Sequence, residues 1–308
     1  MRPAIETTGL GKRYRSNWAL QECSFRLPAG RIAALVGPNG SGKTTLLHLA
    51  AGLNSPTRGS MRVLGRVPDG NDRERLAKVG FLAQDHPLYR GFRVGEMLAF
   101  GRRANPRWDD GAARRRLADL GIPLAKRVGT LSGGQQTQIA LALCLSKHPE
   151  LLLLDEPVSS LDPLARHEFL STLLDACAAE GTTVVLSSHL LADLERVCDF
   201  LIVLSASRVQ VADDIDSVLA GHRLLIAPRR AVGRIPGTDA ILTVSQKERQ
   251  TTVLVRTSGA IADPTWEVHQ PTLEEIVLGY LRHPGSGARQ PLAAVGAGAA
   301  DSPAEAAL

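Results

Sequence analysis

The sequence predicts an α/β protein with a parallel-sheet core, and three observations carry that reading. Short, mainly aliphatic runs recur at residues 31–36, 151–154, 182–186 and 201–204. Runs of this length without polar alternation suit strands buried on both faces, as in a parallel sheet. The first run meets glycines at 37, 40 and 42, and residues 44–51 then read as a helix closed by Gly52. The stretch from about 85 to 150 changes to an Ala-, Leu- and Arg-rich texture that reads as a small helical subdomain.

Taken in order, Leu27-Pro28-Ala29-Gly30 marks the turn that opens the strand at 31–36. Beyond about 218 the pattern becomes strand-like at 223–226, 240–244 and 252–255, with Pro, Gly and polar turns between. A last helix opens at Pro271-Thr272-Leu273-Glu274-Glu275, where Thr272 and Glu275 have the spacing of a capping box. These signals divide the chain into a large domain at 1–217, with its helical subdomain at about 85–150, and a small α+β accessory domain at 218–283. Residues 284–308 are mostly Gly, Ala, Pro and Ser, with little to bury, and are expected to form a disordered tail.

Composition narrows the class further. The 308 residues carry 36 Lys or Arg against 31 Asp or Glu, a net charge of +5, and all but six of the basic residues are Arg. Mean hydropathy is −0.03, and no run approaches the ~18 apolar residues a spanning helix needs. The start has no apolar signal region. Cys23, Cys144, Cys177 and Cys198 stand far apart without a Cys-x-x-Cys pair, as reduced core residues of a cytoplasmic protein do. A membrane span, a disulfide scaffold and a disordered chain are thereby excluded.

Gly37-Pro38-Asn39-Gly40-Ser41-Gly42-Lys43-Thr44 fits G-x-x-x-x-G-K-[ST] between a strand and a helix. Glycines let backbone N–H groups turn inward around phosphate oxygens, and the helix start adds its dipole. Lys43 would reach the β- and γ-phosphates and Thr44 would offer its hydroxyl to Mg2+. The run 151–154 ends on Asp155-Glu156-Pro157, two carboxylates at the end of a buried strand whose side chains point opposite ways. Asp155 would hold Mg2+ through water and Glu156 would polarise the attacking water; such a pair on its own also serves as a helix cap. In Leu131-Ser132-Gly133-Gly134-Gln135, Ser132 caps a helix whose glycines expose its donors to an anion.

The order of these motifs, with Gln84 before the signature and His189 after the acidic pair, resembles the nucleotide-binding subunit of ATP-binding-cassette (ABC) transporters over about residues 4–215. The resemblance implies a P-loop NTPase cassette, with a parallel-sheet core, an antiparallel β subdomain and a helical subdomain bearing the signature. It implies an ATPase that uses Mg2+ and works as a head-to-tail dimer of two cassettes, as a homodimer or a heterodimer. One cassette holds ATP on Gly37 to Thr45, including Thr45 itself, and its partner supplies Ser132, Gly133, Gly134 and Gln135. Ser132 and Gly134 would contact the γ-phosphate. By the same resemblance Glu156, His189 and Gln84 are catalytic, and Thr44, Gln84 and Asp155 surround the metal. Asp162, in Ser160-Leu161-Asp162, belongs to the D-loop, and Tyr14 stacks on adenine.

The stretch from Leu88 to Glu96 resembles the part of the helical subdomain that docks a permease. Gln136-Thr137-Gln138 and Leu143 stand where many relatives place Arg, and Val158 replaces a frequent Thr. The texture around Asn105-Pro106-Arg107-Trp108-Asp109 is similar to bacterial export-type subunits, whose integral membrane permease is a separate chain. The expected place is therefore cytoplasmic, peripheral on the inner face of the cell membrane, with no nucleic acid as partner. The alternative is a soluble ABC ATPase acting on the ribosome or nucleic acid; a single phosphate loop and the absence of sustained heptads speak against it.

Overall fold

The computed structural model describes residues 2–85, 87–159, 161–188 and 191–283. Two strands of 12 residues each, β1 (Pro3–Tyr14) and β2 (Asn17–Pro28), open it as an antiparallel pair. Several register shifts interrupt their ladder, so the segment reads in sequence as short apolar runs broken by turn residues. Strand β3 (Ile32–Val36) leads into helix α1 (Lys43–Ala51), and β4 (Arg58–Val63) returns to β1, giving a sheet of order β2-β1-β4.

Helix α2 (Arg73–Lys78) leaves no mark in the aliphatic pattern; Asp72 caps it by accepting from the Arg75 N–H. Arg75 is fully buried and donates to the carbonyls of Ala50, Ala51 and Asp69 at 2.9–3.2 Å, closing the C-terminal end of α1 where a cation suits the helix dipole. A side chain at Gly52 would meet that guanidinium at 2.4 Å. Strand β5 (Val79–Leu82) follows without a break. The helical subdomain comprises α3 (Val94–Ala104), α4 (Asp110–Asp119), a 3₁₀ turn (Val128–Thr130) and α5 (Gly133–Leu145). It packs around its own apolar cluster, which includes Val94, Leu98, Leu117 and Ile139.

Then come β6 (Leu151–Asp155), α6 (Pro163–Glu180), β7 (Thr183–Ser187), α7 (Leu191–Leu194), β8 (Phe200–Ser205) and β9 (Arg208–Asp214). The central sheet has the order β5-β6-β7-β3-β8-β9 and is parallel except for β9. The two-residue period explains the aliphatic runs. Leu151 and Leu153 face the core formed with β1, β2 and α1, while Leu152 and Leu154 face Phe169 and Leu173 of α6. Each such leucine, fully buried, contributes about 1.5–3 kcal/mol.

The C-terminal part holds α8 (Ile215–Ala220), β10 (His222–Pro228), β11 (Ala240–Gln246), β12 (Gln250–Arg256), β13 (Glu267–His269) and α9 (Leu273–Arg282). Its antiparallel sheet has the order β11-β12-β10-β13. Leu225, Val253, Val255 and Trp266 form a small core on one face. On the other, Ile276, Val277 and Tyr280 of α9 join the same cluster as β7, β8 and α6. Thr272 and Glu275 close the capping box of α9. The buried His222 Nδ1 lies 2.6 Å from the Val218 carbonyl, which can only accept, so Tyr280 Oη donates to Nε2 at 2.8 Å. Burial pushes the His222 pKa down. No described helix is long and apolar enough to cross a membrane.

Candidate active site

Strand β3 runs into the loop at 37–42 and α1 starts behind it. Gly42 has φ +107°, and a Cβ there would lie 2.3 Å from the Ala19 carbonyl oxygen, so only glycine fits. A Cβ on Gly37 would meet the Leu204 carbonyl oxygen at 2.3 Å and Ser41 Oγ at 2.6 Å. Because Gly42 caps α1 without a side chain, the first N–H groups of the helix are left for an anion. Ser41 Oγ is buried with no hydrogen-bond partner among the described residues. A buried hydroxyl without a partner is costly, and a phosphate oxygen in this loop would satisfy it.

Lys43 folds back over the loop. Its Nζ donates to the carbonyls of Gly37 at 2.7 Å and Pro38 at 3.4 Å, and lies 3.5 Å from Glu156 Oε1, with both side chains buried. Asp155 ends β6 at 1% exposure. Glu156 leaves the strand with φ +48°, a left-handed conformation that costs about 1–3 kcal/mol in a residue with a side chain. Ser187 holds this corner. It stands opposite Asp155 in the β6–β7 register, donates to Asp155 Oδ1 at 2.8 Å and accepts from the Glu156 N–H at 2.8 Å. No motif singles out Ser187; only the pairing of two strands distant in sequence reveals it.

The loop, Tyr14, Gln84, Glu156 and Ser159 line one cleft of about 820 Å³, together with Thr44 and Thr45. Tyr14 is half-exposed, its hydroxyl accepts from Asn54 Nδ2 at 3.1 Å, and Lys12 Nζ lies 5.2 Å from its ring centroid. Thr44 and Gln84 line the cleft and Asp155 does not, lying buried at the strand end behind Glu156; all three offer hard oxygen donors, a set that fits Mg2+. A separate cavity of about 490 Å³ is bounded by Arg107, His148, Glu150 and Glu180. Its charges already pair, His148 with Glu180 at 2.6 Å and Arg107 with Glu150 at 3.6 Å.

Ser132, Gly133, Gly134, Gln135 and Asp162 are not among the residues lining the cleft. The Ser132 hydroxyl caps α5 by accepting from the Gln135 N–H at 3.2 Å, and Gln135 Oε1 accepts from the Ser132 N–H at 3.3 Å. Asp162 Oδ1 accepts from the N–H groups of Leu164 and Ala165 at 3.0 Å, capping α6. A Cβ on Gly134 would stand 3.3 Å from Leu161, so the start of α5 and the approach to Asp162 share a second surface. His189 and Ser160 lie outside the described residues, as does the tail at 284–308.

Known proteins resemble this chain in sequence and fold. The family model described as ABC transporter matches residues 20–159, and one described as AAA domain, putative AbiEii toxin, Type IV TA system matches 128–192. The Nod factor export ATP-binding protein I of Rhizobium johnstonii is 38% identical over 213 residues, which is 67% of either chain. The phosphonates import ATP-binding protein PhnC of Thiobacillus denitrificans is 34% identical over 72% of this chain and 91% of its own. A solved ATP-binding subunit of an ABC transporter superposes with a TM-score of 0.64 at 25% identity, over 70% of this chain and 92% of that one. The cbiO1 protein of Clostridium perfringens, described as part of the ABC transporter complex cbiONQ, gives 0.62 at 25% identity, over 71% and 92%.

Proposed function

This chain belongs to the ATP-binding subunits of ABC transporters, a family that hydrolyses ATP for transport, and from that premise we propose how its own residues act. ATP lies in the cleft with adenine on Tyr14 and its phosphates against the loop from Gly37 to Thr45. Lys43 exchanges the Gly37 and Pro38 carbonyls for β- and γ-phosphate oxygens, and Ser41 Oγ gains the partner it lacks. Thr44, Gln84 and, through water, Asp155 would hold Mg2+, which would supply neutralisation of phosphate charge. Glu156 takes the proton of the attacking water, Gln84 orients that water, and His189 contacts the γ-phosphate. A second cassette, identical or related, brings Ser132 and Gly134 onto the γ-phosphate from outside, with Asp162 beside them.

Closure on ATP and reopening after hydrolysis are a population shift between two states. The motion drives an integral membrane permease, a separate chain, which docks on the helical subdomain that holds the stretch from Leu88 to Glu96. There Tyr89 stacks on Phe92 with centroids 5.0 Å apart and meets Phe100 edge-on at 5.5 Å, all three exposed. The partner is of export type and the chain works on the inner face of the cell membrane.

The observation that carries this reading is Lys43 and Glu156 meeting at 3.5 Å over an uncapped helix start. Glu156→Gln tests it. The variant should bind ATP, accumulate as an ATP-bound dimer on size exclusion, and lose about 10²–10⁴ in turnover, the range for a general base. Turnover at the unaltered rate would remove Glu156 from that role. Affinity purification from solubilised membranes should recover a multi-pass permease, and recovery of ribosomal RNA instead would reject the transport assignment.

A further inference from the structure

Ten Lys or Arg residues and four Asp or Glu stand between Arg90 and Arg127. This segment carries an excess of six positive charges in a chain whose total is +5, so the remainder is slightly acidic. Arg107 and Arg114 are in ion pairs, and Arg116 is half-buried. The other seven are exposed and form no ion pair with a described residue.

Four of them are gathered by the backbone. Arg93 Nη1 donates to the Ala125 carbonyl and Arg127 Nη1 to the Gly91 carbonyl, both at 2.7 Å, and the two residues form an isolated β-bridge. The Val94 N–H donates to the Lys126 carbonyl at 3.0 Å, and the Gly129 N–H to that of Arg90 at 2.9 Å. Arg90, Arg93, Lys126 and Arg127 therefore surround the turn that exposes Phe92. Glu96 sits in the same turn, but its carboxylate is engaged by the Arg93 N–H at 2.6 Å, at the start of α3. Four basic residues around one turn, with the single carboxylate of Glu96 beside them, leave an excess of positive charge that an anion would compensate.

We propose that this cluster binds the headgroups of anionic phospholipids, so that the helical subdomain rests on the membrane surface beside the permease. The proposal rests on the reading that the chain works at a membrane face and adds a lipid contact to it. Exposed cations continue past the cluster at Arg102, Arg103 and Arg115. Exposed basic charge in this excess matches an anionic lipid interface, where each basic residue strengthens attachment roughly fivefold.

Sedimentation of the purified full chain with vesicles tests this. Binding is expected to phosphatidylcholine vesicles containing phosphatidylglycerol and not to phosphatidylcholine alone, with release near 1 M salt, where the Debye length is about 3 Å. The double change Arg102→Glu and Lys126→Glu, outside the stretch from Leu88 to Glu96, removes no side-chain hydrogen bond of the described fold and should lower partitioning at least tenfold. ATP turnover in solution should stay at the unaltered level, which reports on the catalytic reading separately. Equal binding to both vesicle types overturns the proposal, and so does partitioning that ignores the double change. If the double change spares vesicle binding but strips the permease from the purified complex, the cluster faces an acidic permease segment and the lipid assignment fails.

Discussion

Helices α1 and α5 begin on the same chemical device, a glycine-rich turn before an apolar helix, yet they are finished in opposite ways. At α1 the cap is Gly42 with no side chain, the loop is walled by Ala19 and Leu204, and a buried hydroxyl waits without a partner. At α5 the cap is Ser132, closed reciprocally by Gln135, and both Ser132 and Gly133 face solvent. The first start is unsatisfied until an anion fills it. The second is stable as it stands and offers its glycines outward. One chain thus contains an open phosphate cradle and, on a different surface, a second glycine-rich helix start closed by its own cap.

The comparison breaks most severely at Gly42. Gly42→Ala puts a methyl group into the Ala19 carbonyl at a left-handed φ, so the loop must shift by about an ångström and ATP affinity should fall about 10²-fold. A titration with labelled ATP checks it, and an affinity within twofold of the unaltered chain would mean the cradle is not formed as described. Ser132→Asn sharpens the other side. Asn caps as well as Ser, so stability and ATP binding by the isolated chain should hold, while turnover, which needs the partner's surface, drops roughly tenfold through a lost phosphate contact. If turnover persists, the start of α5 is only a helix cap.

Ser187→Ala should cost about 1–3 kcal/mol in urea denaturation, since it leaves the Glu156 N–H and a buried Asp155 oxygen unmet. Turnover should fall with it and ATP affinity should not. The smallest effect lies away from both helix starts, at His222. Its folded pKa is below the ordinary value of about 6.5, so the unfolded chain takes the proton first. Stability from this group is full above about 6.5 and is lost as pH falls from there to the folded pKa, at no more than about 1.4 kcal/mol per pH unit. Urea midpoints across that range measure it, and His222→Gln, which keeps a donor for Val218 and an acceptor for Tyr280, should flatten the slope.

What the sequence discloses depends on whether the chemistry is local. The phosphate loop and the Asp155-Glu156 pair are contiguous, and their residue types are dictated by close backbone approach and by charge, so both were legible. Ser187 was not, because its meaning arises from β7 lying beside β6 in one register. The long pair of β1 and β2 was obscured by bulges that break the alternation. Helix α9 was legible as a capped helix, but its place in the core beside β8 was not, since a buried Tyr280 or Ile276 looks the same in any apolar face.

Arg75 has a mechanical consequence. Its guanidinium grips backbone carbonyls at the far end of α1, and four residues later the chain enters the strand that leads to Gln84. Bonds to main chain cannot be undone by a neighbour changing rotamer. The helix behind the glycine-rich loop is therefore a strut bolted at its heel to the root of β5.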